Sequence, residues 1–526
     1  MRNIFIVPVL LTLVLTMESC RPPEKESEGD DRLHGNINDM SHIQFDSSVV
    51  ANFFTTHPRL EKYQNTVVAV YRRHQFNRIW FDSNGIIEFG SSLYNKMKGL
   101  KEEGITATFP YQEQLDDIFI DDGENVLSPE ETDVLLTSTF LFYAEKVVKG
   151  VDERSSSAMG WLLPRKKVSY SALLKSLMTE PELLKKDERS LLAQYYKLRD
   201  ALKRYREIES RGGWRMIEPD STAKAYSPGD SAKALLQIRE RLFMTGDLRR
   251  NNESAVFDKE LAAGMKKYLR RNGFNHEDAI LPKHIRDMNI PVGKRIKTIL
   301  VNMERCRWIS PEISKAKEFV VVNIPAYTLN LFRNGKNEFE SPVVVGASMS
   351  KTVIFSGEMS YIVFSPYWYL PKSIIAKEVR PGMAKDSNYL ESRNMEWNNG
   401  LVRQRPGGDN SLGLVKFMFP NSNDIYLHDS PAKNLYQKES RAFSHGCIRV
   451  AKPKELAVTI LKNDTAWTPE KIDSTMHGGK EITVMLKQKI PVFIGYFTAW
   501  VNDRGEVNFY GDVYKRDKRL LDILMN

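Results

Sequence analysis

Ser444-His445-Gly446-Cys447-Ile448-Arg449-Val450, preceded by Ile425-Tyr426-Leu427-His428-Asp429-Ser430, is the stretch whose reading decides this chain. It gathers two of the nine histidines and one of the three cysteines. A thiol attacks as its thiolate, so a cysteine that does chemistry needs a base or a positive charge nearby, and here two imidazoles and a guanidinium lie close in sequence. Gly446 lets the backbone approach a substrate closely, and Arg449 stays charged at any physiological pH. Taken singly, Cys447 would read as a small buried apolar group and each histidine as a satisfied structural residue. The clustering shifts the reading to thiol chemistry. A zinc site built from His428, Asp429, His445 and Cys447 would use the same side chains. Against it, no paired spacing such as Cys-x-x-Cys or His-Glu-x-x-His occurs, and no metal or cofactor is expected.

The segment resembles the L,D-transpeptidases, bacterial cell-wall enzymes whose pattern is a histidine, a spacer and then Ser-His-Gly-Cys-x-Arg; His428 matches the first histidine and Cys447 the nucleophile. The likeness extends through Phe319 to Pro325, Met359 to Pro366 with Trp368, and Gly413 to Pro420, over Lys317 to about Lys462. It points to the large, multidomain periplasmic branch. Ser365 and Tyr369 stand where relatives usually carry asparagines, which touches fine substrate contacts rather than the reaction.

The length of 526 residues exceeds one hydrophobic core and predicts three or four domains. Hydrophobic content of 41% and charged content of 27% are ordinary for a soluble globular chain. A net charge of +9 is mild over this length, and no Lys/Arg block with interleaved aromatics points to nucleic acid. Arg2 followed by the apolar run Ile4 to Leu15 reads as a sorting signal too short to span a bilayer comfortably. Cys20 resembles the lipid-bearing first residue of a mature lipoprotein, although Met17 and Glu18 depart from the usual preceding residues. The expectation is therefore a membrane-anchored periplasmic lipoprotein of a Gram-negative-type bacterium. Cys306 and Cys447 are not expected to pair, because Ile299, Met303 and Cys306 share a helix face and make Cys306 a core residue.

Along the chain, residues 1–19 read as the signal and 20–44 as a flexible tether poor in apolar groups. Residues 45–217 read as a helical scaffold, with helices over Leu60 to Arg73, Ser91 to Glu103 and Thr132 to Lys149. A polar link over Glu218 to Ser231 precedes a helical module at 232–290, where Leu261, Met265 and Tyr268 share a face; by position it resembles the peptidoglycan-binding modules of relatives. From Phe319 the period changes to strands, with Asn334-Gly335 a hairpin turn, and the catalytic domain spans 317–501. Residues from about 372 to 410, rich in turn signals, suit a cap, which relatives carry at this place. Pro453 opens a helix to about Lys462, strands return at Ile482 to Leu486 and Pro491 to Val501, and the C-terminal segment at 502–526 carries a further strand at Val507 to Tyr510. The fold class is α+β: a mostly helical N-terminal scaffold and small helical module, then a mainly β catalytic domain with a cap insertion.

The resemblance implies acyl transfer through a Cys447 thioester. His428 or His445 would take the thiol proton, and His428 is favoured. Amides around Gly446 and Cys447 would hold the oxyanion, with His445 and Arg449 shaping the pocket. Asp429 and Ser444 are secondary candidates, equally suited to capping and turn roles. Tyr426 and Trp368 read first as packing residues, with substrate contact second. The implied partners are peptidoglycan stem peptides, joined in 3-3 cross-links, and the membrane through the lipid anchor; reaction with carbapenems is also implied. An L,D-carboxypeptidase, a wall endopeptidase and a non-catalytic wall-binding lipoprotein are the competing readings.

Overall fold

A computed structural model describes residues 44–120, 127–179, 191–220 and 223–525. The signal at 1–19, Cys20 and all but the last residue of the tether lie outside the described residues. The chain builds a helical N-terminal region followed by a mainly β C-terminal domain.

Helices Ser47–Thr56, Gln64–Arg73 and Glu88–Lys98 pack around helix Pro129–Tyr143, with a short hairpin of β1 (Phe81–Asp82) and β2 (Gly85–Ile86) beside them. Helix Pro129–Tyr143 opens on a reciprocal cap between Ser128 and Glu131, with Pro129 at the first position, which satisfies amide donors a helix start leaves free. Val134, Leu135, Leu136, Phe140 and Leu141 bury different faces of it, so it runs through the core instead of along a surface. The start predicted at Ser91 lies three residues inside the observed helix, and the segment to Glu103 ends in turns.

A second, separate core forms from helices Lys233–Met244, Lys259–Arg271 and Pro282–Met288; Leu261, Met265 and Tyr268 all point into it, as their spacing predicted. The third and largest core joins helices Ala193–Ser210 and Val292–Trp308 to the sheet. Ile299, Met303 and Cys306 are buried there. Glu304 and Arg307 pair at 2.8 Å in full burial, and Arg307 also donates to the backbone oxygens of Val147 and Glu103. A buried pair with its remaining donors satisfied fixes how the long helix meets the N-terminal helices.

The sheet comprises β3 (Glu318–Asn323), β4 (Thr328–Arg333), β5 (Lys336–Gly346), β6 (Ser356–Phe364) and, after the small sheet of β7 (Trp368–Tyr369), β8 (Met395–Asn398) and β9 (Leu401–Gln404), β10 (Val415–Met418). It continues with β11 (Leu427–His428), β12 (Ala442–Ser444), β13 (Ile448–Val450) and β14 (Ile482–Gly495); β15 (Ala499–Val501) and β16 (Val507–Phe509) pair apart. Its order is β12-β5-β13-β11-β10-β6-β14-β3-β4, and β4 also pairs with β5, so eight strands close into a ring with β12 attached outside it. The β4–β5 hairpin turns at Asn334-Gly335, both at positive φ, as a type I′ turn requires. Two predicted strands, at Ile482 to Leu486 and Pro491 to Val501, are instead mostly one, β14, with a register irregularity between Met485 and Ile490. Pro491 sits just before β14 begins to pair with β3, where its missing N–H breaks no bond to that strand.

Residues 372–410, which show only turn signals in sequence, are folded: β9 pairs with β7 and β8, and Leu370, Ile375, Val379, Met395 and Val402 make a small core of their own.

Candidate active site

His428 and Arg449 sit in register on the adjacent parallel strands β11 and β13. Both strands are short and run through the sheet's interior, which buries His428 and leaves Arg449 half-buried. The turn between β12 and β13 carries Cys447. Gly446 occupies it at φ +123°, which an L side chain rarely adopts.

That turn is pinned from three directions. The Ser444 hydroxyl donates to the Cys447 carbonyl at 2.5 Å and accepts from the Gly446 N–H at 3.1 Å. Thr352 Oγ1 donates to the Gly446 carbonyl at 2.8 Å and accepts from the Gly346 N–H at 2.8 Å. The Tyr514 hydroxyl accepts from Thr352 N–H at 3.1 Å and donates to the Gly346 carbonyl at 2.7 Å. The backbone bearing the thiol is thereby held by groups that need no rearrangement when a substrate arrives.

The half-buried Cys447 thiol lies 3.6 Å from the Asp424 carbonyl. Burial pushes it above its ordinary value, while hydrogen bonds from the Tyr426 N–H and hydroxyl and the charge of Arg449 pull the other way. The resting group is a thiol. His428 is perturbed in the opposite direction. Burial first, then the Arg449 charge, holds its imidazole down at about 3, so it is neutral at physiological pH. Its Nδ1 lies 2.5 Å from the Asp429 carbonyl, and the Leu412 backbone also bonds the ring, so two main-chain contacts orient the imidazole.

His445 goes elsewhere: its side chain is 70% exposed, with Nε2 3.9 Å from Glu378 of the cap. Segment 372–410 therefore comes close to the loop that bears the thiol. The Asp429 carboxylate does not orient an imidazole. It accepts from Leu414 N–H at 3.0 Å and Ser430 N–H at 2.6 Å and pairs with Lys433, holding the turn before β10. Gly413 in that turn has φ +62°, and a Cβ there would lie 2.4 Å from Asp429 Cγ. Ser365 likewise serves structure, its hydroxyl donating to the Met476 carbonyl at 2.8 Å, while Tyr369 is exposed on the cap and accepts from Arg403. Trp368 packs against the cap core.

Among the described residues no three His, Cys, Asp or Glu side chains converge as a metal-binding group, so the four candidate zinc ligands do not form one. Cys306 and Cys447 are both free thiols. No described helix is long and apolar enough to cross a membrane. Sequence reasoning missed Thr352 and Tyr514, for which no motif exists, and underrated Tyr426, whose hydroxyl lies against the thiol. Their contacts join positions far apart in the chain.

Residues 317–472 match the model of the L,D-transpeptidase catalytic domain, and residues 65–202 match that of the scaffold domain. Over 257 residues the chain is 32% identical to a Haemophilus influenzae protein assigned as an L,D-transpeptidase, covering 44% of this chain and 51% of that one. The chain thus spans about half the length of the curated relative it matches. Among solved structures, an L,D-transpeptidase from Mycobacterium smegmatis overlaps 34% of this chain and 59% of its own at 12% identity and a TM-score of 0.20. One from Stackebrandtia nassauensis overlaps 52% and 97% at 15% identity and a TM-score of 0.21. Neither superposition carries weight at scores of this size.

Proposed function

We propose that this chain, whose residues 317–472 match the L,D-transpeptidase catalytic domain, acts as an L,D-transpeptidase and forms 3-3 cross-links between peptidoglycan stem peptides through a cysteine thioester. The observation that carries the reading is the buried, neutral His428, fixed through Nδ1, on the strand beside the one that leaves Cys447.

In this mechanism the Cys447 sulfur attacks the carbonyl of the donor's third residue as its proton passes to His428. Amides near Gly446 and Cys447, and the Tyr426 hydroxyl, receive the oxyanion. The C–N bond to the terminal D-alanine breaks, its amine taking the proton from His428, and a thioester remains. The side-chain amine of an acceptor's third residue then attacks the thioester. His428 takes the amine proton and returns it to the departing thiolate, so charge and protons balance. Arg449 suits a substrate bearing several carboxylates. His445 and Glu378 mark where the cap meets this cleft. The N-terminal signal-like run and Cys20 support a lipid-anchored, periplasmic placement, and the wall peptides are the partners.

Defined tetrapeptide muropeptides and mass analysis of the products test the assignment. Dimers plus free D-alanine, abolished in Cys447→Ala, support it. Free D-alanine without dimers makes the enzyme a carboxypeptidase; shortened stems make it an endopeptidase. No product and no labelling by a carbapenem leave only a wall-binding role. Retention of dimer formation in Cys447→Ala would overturn thioester chemistry altogether.

A further inference from the structure

Lys416, His428 and Arg449 form a row across three adjacent strands. Lys416 on β10 lies directly opposite His428 on β11, and His428 is in register with Arg449 on β13. Cross-strand partners share a face of the sheet, as do positions two apart on one strand, so Tyr426 belongs to the same side. Its ring lies 5.7 Å from that of His428 and its hydroxyl bonds the Cys447 thiol, which makes this the reactive face. Phe417, Leu427 and Ile448, at the alternate positions, are buried in the core on the other side. Lys416 therefore stands on the reactive face, its Cβ about 5 Å from that of His428.

Lys416 has no structural partner. It is half-buried and forms no hydrogen bond or ion pair among the described residues, and its ammonium is not sealed from solvent. Burial lowers it from its ordinary value; the Glu481 carboxylate, itself held by the Tyr367 N–H at 2.8 Å, favours the charged form without pairing with it. An ammonium in this position gains from an anion brought to it.

The acyl transfer proposed for Cys447, on which this assignment rests, supplies one. The donor's reacting carbonyl meets the sulfur, and its leaving amine must come within hydrogen-bond reach of His428. In a C-terminal residue the carboxylate carbon is two bonds from that amine, about 2.5 Å away. Cys447 and Arg449 lie on the β13 side of His428, so the leaving residue extends toward β10, where Lys416 is the next side chain on this face. We propose that Lys416 binds the terminal carboxylate of the donor stem and thereby selects stems that end at the residue to be released. An internal peptide bond presents no charge at that place.

Isothermal titration of the full chain carrying Cys447→Ala, with a tetrapeptide muropeptide and with its C-terminal amide, tests this. The acid should bind about tenfold or more tightly than the amide, the worth of one charged hydrogen bond. Adding Lys416→Met should cut that preference below about threefold by weakening the acid alone, and Lys416→Arg should keep it; a merely structural role would weaken both ligands together. Should Lys416→Met not fold, Lys416→Gln gives the same reading. A preference unchanged in the neutral variant, equal binding of acid and amide with Lys416 intact, or binding of neither would overturn the proposal, the first of these leaving the carboxylate to Arg449. Product analysis on the natural chain separates this subsite from the reaction. Cross-linked product without a Lys416-dependent preference overturns the subsite alone, whereas that preference without release of D-alanine upholds the subsite and overturns the reaction.

Discussion

Replacing His428 with glutamine should change how stability depends on pH, and the size follows from the burial of the ring. The imidazole is held down to about 3 in the folded chain against an ordinary value of 6.5. Between these values the unfolded chain takes up a proton on His428 and the folded chain does not. The unfolded state therefore binds more protons, and stability falls as pH falls through this window. Each pH unit well inside it is worth about 1.4 kcal/mol, so acidification from 6.5 to 4.5 removes roughly 2 to 3 kcal/mol that His428→Gln does not lose. Hydrogen-exchange mass spectrometry on peptides covering β10, β11 and β13 measures the opening of this sheet in both chains at each pH. Taking the difference between chains cancels the other titrating groups. Any advantage of the natural chain near pH 7.5 should shrink by that amount at pH 4.5. A difference that stays constant with pH would refute a neutral, buried His428 and with it the base proposed for the reaction.

Alkylation of Cys447 by iodoacetamide should keep accelerating past pH 9, because burial raises the thiol above its ordinary value of 9.0; a plateau by pH 8 would show a depressed thiol instead. Ser444→Ala removes two bonds of the nucleophile turn, to the Cys447 carbonyl and from Gly446 N–H, and should lower kcat about thirtyfold with little change in KM, at about 1 kcal/mol per bond. Gly413→Ala places a Cβ 2.4 Å from Asp429 Cγ at φ +62°. Thermal melting should register a loss of about 2 to 5 kcal/mol, combining overpacking with left-handed strain. In an Asp429→Gly background, which removes the Asp429 Cβ at 2.5 Å together with the carboxylate, the same change should cost only about 1 to 2 kcal/mol.

The pattern His428 through Arg449 was legible because its chemistry is local: residue types and order alone carry it. The helix faces of Leu261, Met265 and Tyr268 and of Ile299, Met303 and Cys306 were legible for the same reason, since a period of 3.6 is written in neighbouring residues. What the sequence hid is long-range. Nothing near Thr352 or Tyr514 announces that they hold Gly446, and His445, adjacent to the motif's glycine, turns out toward Glu378 because the bulged β12 ends there. The Asp429 carboxylate looked like an orienting partner of the imidazole; the turn at Gly413 claims it, and the Asp429 carbonyl does the orienting. The cap hid its fold because its core is a handful of apolar residues scattered among turn signals, too sparse for a period to show. Ile482 to Val501 looked like two strands because Pro491 reads as a break, which an irregular register absorbs.

Intact-protein mass spectrometry during turnover of a tetrapeptide muropeptide reaches the central claim most directly. A covalent adduct equal to the donor stem minus D-alanine, mapped by digestion to Cys447 and discharged on adding an acceptor amine, is the expected result. An unmodified Cys447 throughout productive turnover would contradict the account.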